Sequence, residues 1–370
     1  CLGIAGLAYI GLPLMVLGLA RLSPRPLTFS GGTPSVSIVI AAHNEAAHIG
    51  AKIRSLLMQD YPSEQLEIIV ASDGSDDGTV EEARAVGDAR VRVLDLPRGG
   101  KAAALNAAAP TARGEILVFT DADNRWRPGT LRALVAPFAD PRVGAAGGHI
   151  DVVRDHQSLG QGDRSYRRFE TWLRHQESLA GCMVSADGAL LALRRNLFES
   201  VPPDVTDDFF LSTSAPAQGY RIVFAEGAVV EDGGVDKADR QYRRRVRVTV
   251  RGLQSLRRRA WLMNPLQHGR YALALVLHKL LRRLAPVLLL PLWLANLWLL
   301  DASLLHPLIL LGSLCALSAG IAGILDTRGR LPKPFRLAGF ALVTLSGMFM
   351  GVVQFLRGTR YSVWNPQQNR

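Results

Sequence analysis

Hydrophobic positions fall into three zones along the chain, and each zone predicts a different kind of element. Residues 1–20 are almost wholly apolar and are followed by Arg21 and Arg25. About 20 such residues are enough to cross a bilayer, and basic residues after a span mark the cytosolic side. The pattern therefore predicts a transmembrane helix at 1–20, followed at 21–35 by a linker rich in Pro, Gly, Ser and Thr.

The second zone alternates short apolar runs with helical stretches. Four runs rich in β-branched and other apolar residues predict buried strands at residues 36–41, 66–71, 91–94 and 116–119. Helical patterns lie between them, and the segment 99–101 opens the last one, which is rich in Ala. Strands that alternate with helices predict an α/β fold with a mostly parallel, doubly wound sheet. The functional site of such a sheet lies at the carboxyl ends of its strands.

Carboxylates stand where these strands end. Glu45 and Asp73 follow the first and second runs, and Asp121 and Asp123 follow the fourth. Acidic groups gathered at one sheet edge are costly unless cations or hydroxyl groups face them. Because Asp121 and Asp123 are one residue apart, extended backbone points both side chains the same way. Two hard oxygen ligands at that position suit Mg²⁺ or Mn²⁺ carrying a diphosphate.

Each of these motifs has a plainer interpretation when it is taken alone. The Asp-x-Asp pair can be a turn that caps the next helix, and the segment 73–75 can be a turn with a helix N-cap. Glu45 can act only on the dipole of its helix. The segment 99–101 lacks the full spacing of a P-loop. The order and spacing of all four motifs together favour a functional site.

The third zone is apolar, with basic residues between its apolar stretches. We predict interfacial amphipathic helices at 260–283, whose basic residues reach the lipid surface, and transmembrane helices at 284–302, 305–325 and 337–356. The basic loop 326–336 favours the cytosolic side. The tail at 357–370 also carries arginines, so either it breaks the charge rule or one span is re-entrant.

Composition narrows the choice of partners. The 370 residues carry a formal net charge of +11 and are 48% hydrophobic. Anionic partners are therefore expected, and the apolar segments favour acidic membrane lipid and a phosphate-bearing substrate over nucleic acid. Cys1, Cys182 and Cys315 form no ligand-spaced cluster and no disulfide framework, which fits a reduced, cytosol-facing domain.

Four sequence blocks resemble the signature of the family 2 glycosyltransferases. The blocks are 36–45 (VSIVIAAHNE), 72–79 (SDGSDDGT), 100–106 (GKAAALN) and 120–123 (TDAD), and the likeness continues through 187–188, 194–195, 206–208 and 219–230. The resemblance implies a cytosolic GT-A nucleotide-sugar-binding domain at 36–259 and an inverting reaction. With the flanking spans, it implies the membrane-bound polysaccharide-synthase branch.

The resemblance also implies roles on the donor side. Asp73 would contact the nucleoside of a UDP-sugar, with His43 and Glu45 nearby. Lys101 would lie near the donor, in the block that opens the Ala-rich helix.

Four more carboxylates would act on the donor, the metal and the acceptor. Asp121 would help to hold the donor, and Asp123 would coordinate the Mg²⁺ or Mn²⁺ ion. Asp208 takes the place of the general base, with Asp207 beside it in the substrate site. In an inverting reaction the acceptor hydroxyl attacks opposite the departing diphosphate while a carboxylate removes its proton. The alternative for both residues is the N-terminus of a helix.

Residues 240–259 contain nine arginines. Membrane synthases of this family usually show Gln-x-x-Arg-Trp here, contacting the diphosphate and the acceptor. One register matches Gln241 and Arg244 but places Arg245 where Trp is expected, and the register three residues on keeps only Arg247. Both registers contain Arg244. The missing aromatic residue puts processive elongation in doubt, and a basic helix on anionic lipid is the alternative.

The expected protein is a multi-pass protein of the cell (inner or plasma) membrane that moves a sugar from a cytosolic UDP-sugar to a growing polysaccharide. Transfer of one sugar to a lipid acceptor is the alternative. A third possibility is a catalytically inactive membrane partner that only binds nucleotide-sugar, against which the intact carboxylates argue. A nucleotidyltransferase would share the nucleotide-binding half but would not need the acidic segment 206–208.

Overall fold

A mixed sheet of eight strands forms the centre of the computed structural model, which describes residues 6–28, 32–152, 160–232, 238–326 and 330–361. The strands are β1 Val36–Ala42, β2 Leu66–Asp73, β3 Val91–Leu96, β4 Ile116–Thr120, β5 Arg125–Trp126, β6 Val143–Val152, β7 Leu191–Arg194 and β8 Arg221–Asp232. Their order across the sheet is β3-β2-β1-β4-β7-β6-β8-β5.

Helices cover the sheet and continue beyond it. Within the described residues the α-helices are α1 Leu12–Leu22, α2 Ala46–Leu57, α3 Thr79–Arg84, α4 Lys101–Ala108, α5 Thr130–Val135, α6 Gly160–Leu179, α7 Asp207–Ala217, α8 Ala238–Arg258, α9 Pro265–Leu275, α10 Arg282–Trp298, α11 Leu305–Leu325 and α12 Lys333–Leu356. Two π-helical segments, Leu7–Gly11 and Val276–Leu281, lead directly into α1 and α10.

The first half of the sheet is parallel, as the sequence predicts. β1 lies between β2 and β4 and is parallel to both, and β3 pairs in parallel with β2. Every residue of β1 and β4 is buried, because apolar clusters form on both faces of the sheet. Parallel strands covered on both faces are continuous apolar runs in the sequence. Their carboxyl ends, at Ala42, Asp73 and Thr120, lie at one edge.

The second half of the sheet differs from the prediction. β7 is antiparallel to both β4 and β6, β5 is antiparallel to β8, and β6 and β8 are parallel. The prediction of a mostly parallel sheet is therefore wrong for this half. β7 is a short, largely buried apolar run. Because buried strands of either direction give the same apolar pattern, the sequence does not reveal which way β7 runs.

The C-terminal helices pack against one another through glycines. α12 lies along α8 and also packs on α11. A Cβ atom at Gly351 would lie 2.6 Å from Cβ of Thr249, and one at Gly323 would lie 2.0 Å from the carbonyl oxygen of Phe335. Both distances are too short for any larger residue, so glycine lets these helices approach closely. The contact fixes α12 against α8, the arginine-rich helix.

Two of the four predicted spans form helices that are long and apolar enough to cross a bilayer. These are α11 and α12, which correspond to the predictions at 305–325 and 337–356. The prediction at 1–20 corresponds to a shorter apolar helix, Leu7–Leu22, and the prediction at 284–302 corresponds to the 17-residue helix α10. The four-span arrangement stays a prediction. Residues 1–5 and 362–370 lie outside the described residues.

The predicted interfacial stretch contains two buried basic residues. His278 lies 2.6 Å from Oε1 of Glu177 and 3.1 Å from Oε2 of Glu170. Arg282 donates a 2.6 Å hydrogen bond to Oε1 of Glu170. The prediction that basic residues here reach the lipid surface is wrong for these two. The reason is the acidic face of α6, a helix that was not placed from the sequence.

Candidate active site

Lys101 joins two carboxylates at the carboxyl edge of the parallel strands. It begins α4, and its Nζ lies 2.9 Å from Oδ1 of Asp121 and 2.8 Å from Oδ2 of Asp207. Burial alone would lower the pKa of Lys101, but the two carboxylates outweigh burial and hold that pKa above its usual range. The ammonium group therefore stays charged and ties the residue after β4 to the start of α7.

Asp207 and Asp208 begin α7, where the helix dipole favours negative charge. Oδ1 of Asp208 accepts a 2.7 Å hydrogen bond from the backbone N–H of Phe209. Burial and the negative charges of Asp207 and Asp187 raise the pKa of Asp208 to about 6. Burial also tends to raise the pKa of Asp207, but the positive charge of Lys101 outweighs burial, so the pKa of Asp207 is lowered. Asp207 is thus a fixed anion, whereas Asp208 can exchange a proton near neutral pH.

Asp73, buried at the end of β2, organises the glycine loop before α4. One carboxylate oxygen accepts hydrogen bonds of 2.7 Å and 2.8 Å from the backbone N–H groups of Gly99 and Gly100. The other oxygen pairs with Arg98. The residue predicted to contact the nucleoside therefore also fixes the loop that carries the active-site lysine. The nucleoside contact itself stays a prediction.

His43 and Glu45 lie beside this loop, at the end of β1. Nδ1 of His43 is 2.8 Å from the backbone carbonyl oxygen of Asp73. Glu45 is buried, its carboxylate lies 3.2 Å from Nδ1 of His48, and its backbone N–H donates a 2.8 Å hydrogen bond to Oγ1 of Thr79. Both residues connect β1 to the segment that follows β2. Their predicted place near the donor is consistent with this position and stays a prediction.

Lys52 is a charged group at this edge that was missed from the sequence. Its Nζ donates a 3.0 Å hydrogen bond to Oγ1 of Thr120 and also contacts the side chain of Asn124. Burial lowers the pKa of Lys52 to about 7, although Asp121 and Asp123 act in the opposite direction. A signal was present in the sequence, because this lysine interrupts the buried apolar stripe of α2. A lysine is rarely buried unless it has partners.

Asp121 and Asp123 follow β4 directly, as the sequence predicts. Asp121 contacts Lys101, and Asp123 is exposed. In the part of the chain that the structure describes, no three His, Cys, Asp or Glu side chains form a metal-binding group. Two carboxylates nevertheless fit Mg²⁺ or Mn²⁺, because such ions take one or two carboxylates and complete their coordination with phosphate oxygens and water.

A cavity of about 730 Å³ adjoins Asp208. Its walls come from α6, α8, α10 and α12, the π-helical segment before α10, and the residues around Asp187 and Asp208. Seven Arg or Lys side chains and four Asp or Glu side chains line it among the described residues. Its apolar wall belongs to α10 and α12 and includes Leu289, Phe340 and Met348. The cavity lining therefore combines a surplus of basic side chains with apolar ones.

A second, much smaller pocket lies at the strand ends and shares Asp208 with the lining of this cavity. Lys101, Asp207 and Asp208 all line it. Asp208 therefore belongs to the linings of both spaces. Of the predicted residues, the structure joins Asp121, Lys101, Asp207 and Asp208 into one contiguous group, whereas His43, Glu45 and Asp73 form a second group linked to it through the loop before α4.

The two predicted arginines of α8 have different positions. Arg244 lines the cavity, and Arg247 is not among the described residues that do so. Burial and the neighbouring Arg167 lower the pKa of Arg244. Burial and the charge of Arg251 do the same for Arg247. The position of Arg244 at the cavity is consistent with its predicted substrate contact, and the roles of both arginines stay predictions.

α6 supplies cavity-lining side chains that were not predicted from the sequence. Arg174 makes a two-pronged ion pair with Asp187, with 2.8 Å between Nη2 and Oδ1. Both residues line the cavity, and Asp187 is one of the charges that raise the pKa of Asp208. The signal in the sequence was the helical spacing of polar and apolar residues in 163–179. Arg174 thus holds a carboxylate that tunes the candidate base.

Comparison with known proteins points to one family. The family model described as Glycosyl transferase family 2 matches residues 37–200. A beta-monoglucosyldiacylglycerol synthase of Trichormus variabilis is 28% identical over 255 residues, which are 66% of this chain and 54% of that protein. A succinoglycan biosynthesis protein of Rhizobium meliloti is 37% identical over 120 residues, which are 32% of each chain. The chain spans about half or less of the length of these curated relatives.

One solved structure is similar along nearly the whole chain. It is a mannosyltransferase from Pyrobaculum calidifontis in complex with GDP-Man and Mn²⁺, with a TM-score of 0.71 and 26% sequence identity. The similarity covers 97% of this chain and 98% of that one, so it includes the C-terminal helices as well as the sheet. Residues 37–200 therefore match glycosyl transferase family 2, and the α/β domain has a GT-A-like fold with a mixed sheet.

Proposed function

We propose that the protein moves a sugar from a nucleotide-diphosphate sugar to a hydroxyl group of a lipid acceptor held in the cavity, with inversion at the anomeric carbon. The observation that carries this proposal is the position of Asp208. It lines both the large cavity and the small pocket that contains Lys101 and Asp207. A carboxylate at that boundary can reach an acceptor hydroxyl that enters from the cavity.

The donor is assigned to the strand ends. Asp121 and Asp123 would hold Mg²⁺ or Mn²⁺, which supplies positive charge to the departing diphosphate. The ammonium group of Lys101, already held between two carboxylates, stabilises the same developing charge. The motif resemblance favours a UDP-sugar. The similar mannosyltransferase, which was solved with GDP-Man and Mn²⁺, adds GDP-mannose as the alternative donor.

Asp208 is assigned the general-base role. As the acceptor oxygen bonds to the anomeric carbon, the bond from that carbon to the diphosphate oxygen breaks on the opposite face. The hydroxyl proton passes to the carboxylate of Asp208, and the nucleoside diphosphate leaves with the electron pair. Burial and neighbouring carboxylates raise the pKa of Asp208 to about 6, which makes it a stronger base than an ordinary carboxylate while it stays mostly ionised at pH 7.

The apolar wall of the cavity favours a lipid acceptor over a polymer. Leu289, Phe340 and Met348 belong to α10 and α12, and α12 is one of two helices in the described part of the chain that are long and apolar enough to cross a membrane. A relative named beta-monoglucosyldiacylglycerol synthase supports transfer to a lipid. The predicted polysaccharide acceptor is the second candidate, which the likeness to a succinoglycan biosynthesis protein favours. On either proposal the enzyme works at the cell membrane with its catalytic domain in the cytosol.

Product analysis with defined donors and acceptors tests the proposal. Full-length protein is incubated with Mn²⁺, lipid vesicles and one of four donors: UDP-glucose, UDP-N-acetylglucosamine, UDP-glucuronate or GDP-mannose. Nucleotide release and the mass of the lipid products are measured together. A lipid that gains one sugar supports the proposal. A polymer without any glycolipid would exclude the lipid acceptor, and the absence of transfer from all donors would contradict the choice of donors.

A further inference from the structure

The segment 278–283 presents two pairs of basic residues, and the surrounding protein neutralises one of the pairs. His278 and Arg282 lie one helical turn apart, and Glu170 and Glu177 of α6 bind them. Lys279 and Arg283 lie one turn apart on the adjacent stripe, and both line the cavity. Among the described residues, no carboxylate lies within ion-pair distance of Lys279 or Arg283.

Arg283 is held against bare backbone. Its Nη1 donates a 2.9 Å hydrogen bond to the carbonyl oxygen of Lys279. A Cβ atom at Gly252 of α8 would lie 2.5 Å from Nη2 of Arg283, so only glycine leaves room for this guanidinium. The guanidinium therefore packs against α8 at the cavity wall, with the backbone carbonyl of Lys279 as its hydrogen-bond acceptor.

Lys279 lies among other cations. Burial, together with the positive charges of Arg174 and Arg283, lowers the pKa of Lys279 to about 8, although Glu170 and Glu177 act in the opposite direction. These two acids are already engaged by His278 and Arg282. The ammonium group thus faces the cavity without an acid of its own. Cations kept from bulk water are stabilised when an anion joins them.

We propose that Lys279 and Arg283 form a phosphate-binding subsite for the acceptor, so that the acceptor is an anionic lipid with a phosphate close to its reacting hydroxyl. This inference rests on the proposed function and names the substrate class within it. Guanidinium and ammonium groups together suit a phosphate, because the first binds two oxygens side by side and the second acts as a point charge. The apolar wall formed by α10 and α12 then takes the lipid chains.

A phosphate beside a hydroxyl occurs in two kinds of lipid. One is a phosphodiester lipid with a hydroxyl-bearing head group, and the other is a lipid with a diphosphate-linked sugar. Wild-type protein is therefore assayed with phosphatidylglycerol, with a polyprenyl diphosphate sugar and with neutral diacylglycerol, at fixed donor and Mn²⁺. We expect at least one phosphate lipid to have a KM about tenfold or more below that of diacylglycerol.

This assay distinguishes failure of the phosphate subsite from failure of the proposed function. If diacylglycerol is the best acceptor, the phosphate subsite is overturned while transfer to a lipid stands. If no lipid receives sugar, the proposed function fails, and binding then tests the subsite by itself. Calorimetric titration with short-chain phosphatidylglycerol, a short-chain polyprenyl diphosphate sugar and short-chain diacylglycerol should show tighter binding of at least one of the phosphate lipids. If neither phosphate lipid binds more tightly than diacylglycerol, the subsite is overturned.

Charge removal at the subsite sharpens the test. Lys279→Met and Arg283→Met should each raise KM for the phosphate lipid about tenfold or more, with a much smaller change in kcat. Lys279→Arg keeps the charge and should recover most of the affinity. Lys333→Met and Arg257→Met make the same substitutions on exposed side chains outside the described cavity lining and serve as matched controls.

The donor supplies the competing explanation. If the KM for the nucleotide-sugar rises in these variants and the KM for the lipid does not, the two cations serve the donor diphosphate and the inference is wrong. If Arg283→Met does not fold, the Lys279→Met and Lys279→Arg pair decides the question. Equal lipid KM values for wild type and Lys279→Met would then overturn the subsite.

Discussion

The strand-end cluster and the cavity are built from the same residue types but balance their charges differently. At the strand ends, Lys101 is shared by Asp121 and Asp207, and Asp73 is matched by Arg98 and two backbone N–H groups. At the cavity, basic side chains outnumber acidic ones among the described lining residues. A cluster whose charges are paired within the protein can hold its shape without a ligand. Unpaired cations favour an anion brought from outside.

The difference separates groups that shape the site from groups that remain available to bind. Asp73 was predicted as a direct substrate contact, yet both of its carboxylate oxygens already have partners in the protein. Lys279 was predicted only to reach the lipid surface, yet it lines the cavity, and no carboxylate among the described residues lies within ion-pair distance of it. A motif therefore locates a site, and the pairing of its charges indicates what each residue does there.

The largest expected effect is on transfer activity, and it comes from Asp208, which lines both the cavity and the pocket at the strand ends. Asp208→Asn removes the proton acceptor and keeps the size of the side chain, so transfer should fall by about 10²–10⁴-fold. Nucleotide binding should stay close to that of wild type, because Asp207 and Lys101 are unchanged. Steady-state turnover and nucleotide titration measure the two quantities. Asp60→Asn, on an exposed residue, is the control, and full turnover by Asp208→Asn would remove Asp208 from the base role.

Breaking the paired cluster is expected to have the next largest effect. Lys101→Met leaves Asp121 and Asp207 without their shared cation, which should weaken donor binding about 10²-fold, since removing one member of a buried charge pair leaves the other uncompensated. Donor affinity is measured by nucleotide titration, with Lys333→Met as the control. An unchanged donor affinity would show that Lys101 only supports the fold.

The metal dependence of nucleotide binding tests whether Asp121 and Asp123 bind a divalent ion. Asp123→Ala should weaken the Mn²⁺-dependent binding of nucleotide about tenfold or more, because one of two carboxylate ligands is lost. A chelator should reduce wild-type binding to a similar level. Titration of nucleotide at several Mn²⁺ concentrations gives both values. Metal dependence that is unchanged in the variant would contradict the role of Asp123.

The pH profile tests the coupling between Asp208 and the cavity wall. The pKa of Asp208 is raised to about 6, and a base acts in its ionised form, so kcat/KM should fall as pH drops through about 6. Asp187→Asn removes a negative charge that raises this pKa, so the midpoint should move to lower pH by roughly half a unit to one unit. A midpoint that does not move would show that Asp187 has no influence on the base.

The smallest expected effect separates two arginines of the same helix. Arg244→Gln should raise the acceptor KM about fivefold, because Arg244 lines the cavity. Arg247→Gln should change that KM by less than about twofold, since Arg247 is not among the described lining residues. Acceptor titrations at saturating donor give both values. The reverse order would favour the other register of the Gln-x-x-Arg-Trp pattern.

Prediction from sequence was most successful where contacts are local. The strands β1, β2, β3 and β4 and the acidic residues at their ends were located because buried parallel strands are continuous apolar runs and the chain turns at their carboxyl ends. Lys52 was missed, although its place within an apolar helical stripe was a readable signal. The direction of β7 was also missed, because the residues of a short buried strand do not indicate whether its neighbours run parallel or antiparallel to it.

The sequence by itself determined the family signature, the parallel half of the sheet and the identity of the acids at its strand ends, since these depend on short-range periodicity and residue chemistry. Only the tertiary structure decided which charges are paired, because Lys101 and Asp207, or Glu170 and Arg282, meet across about a hundred residues of chain. The cavity has the same origin. Its walls come from helices that lie apart in the sequence, so no single segment of the sequence predicts it.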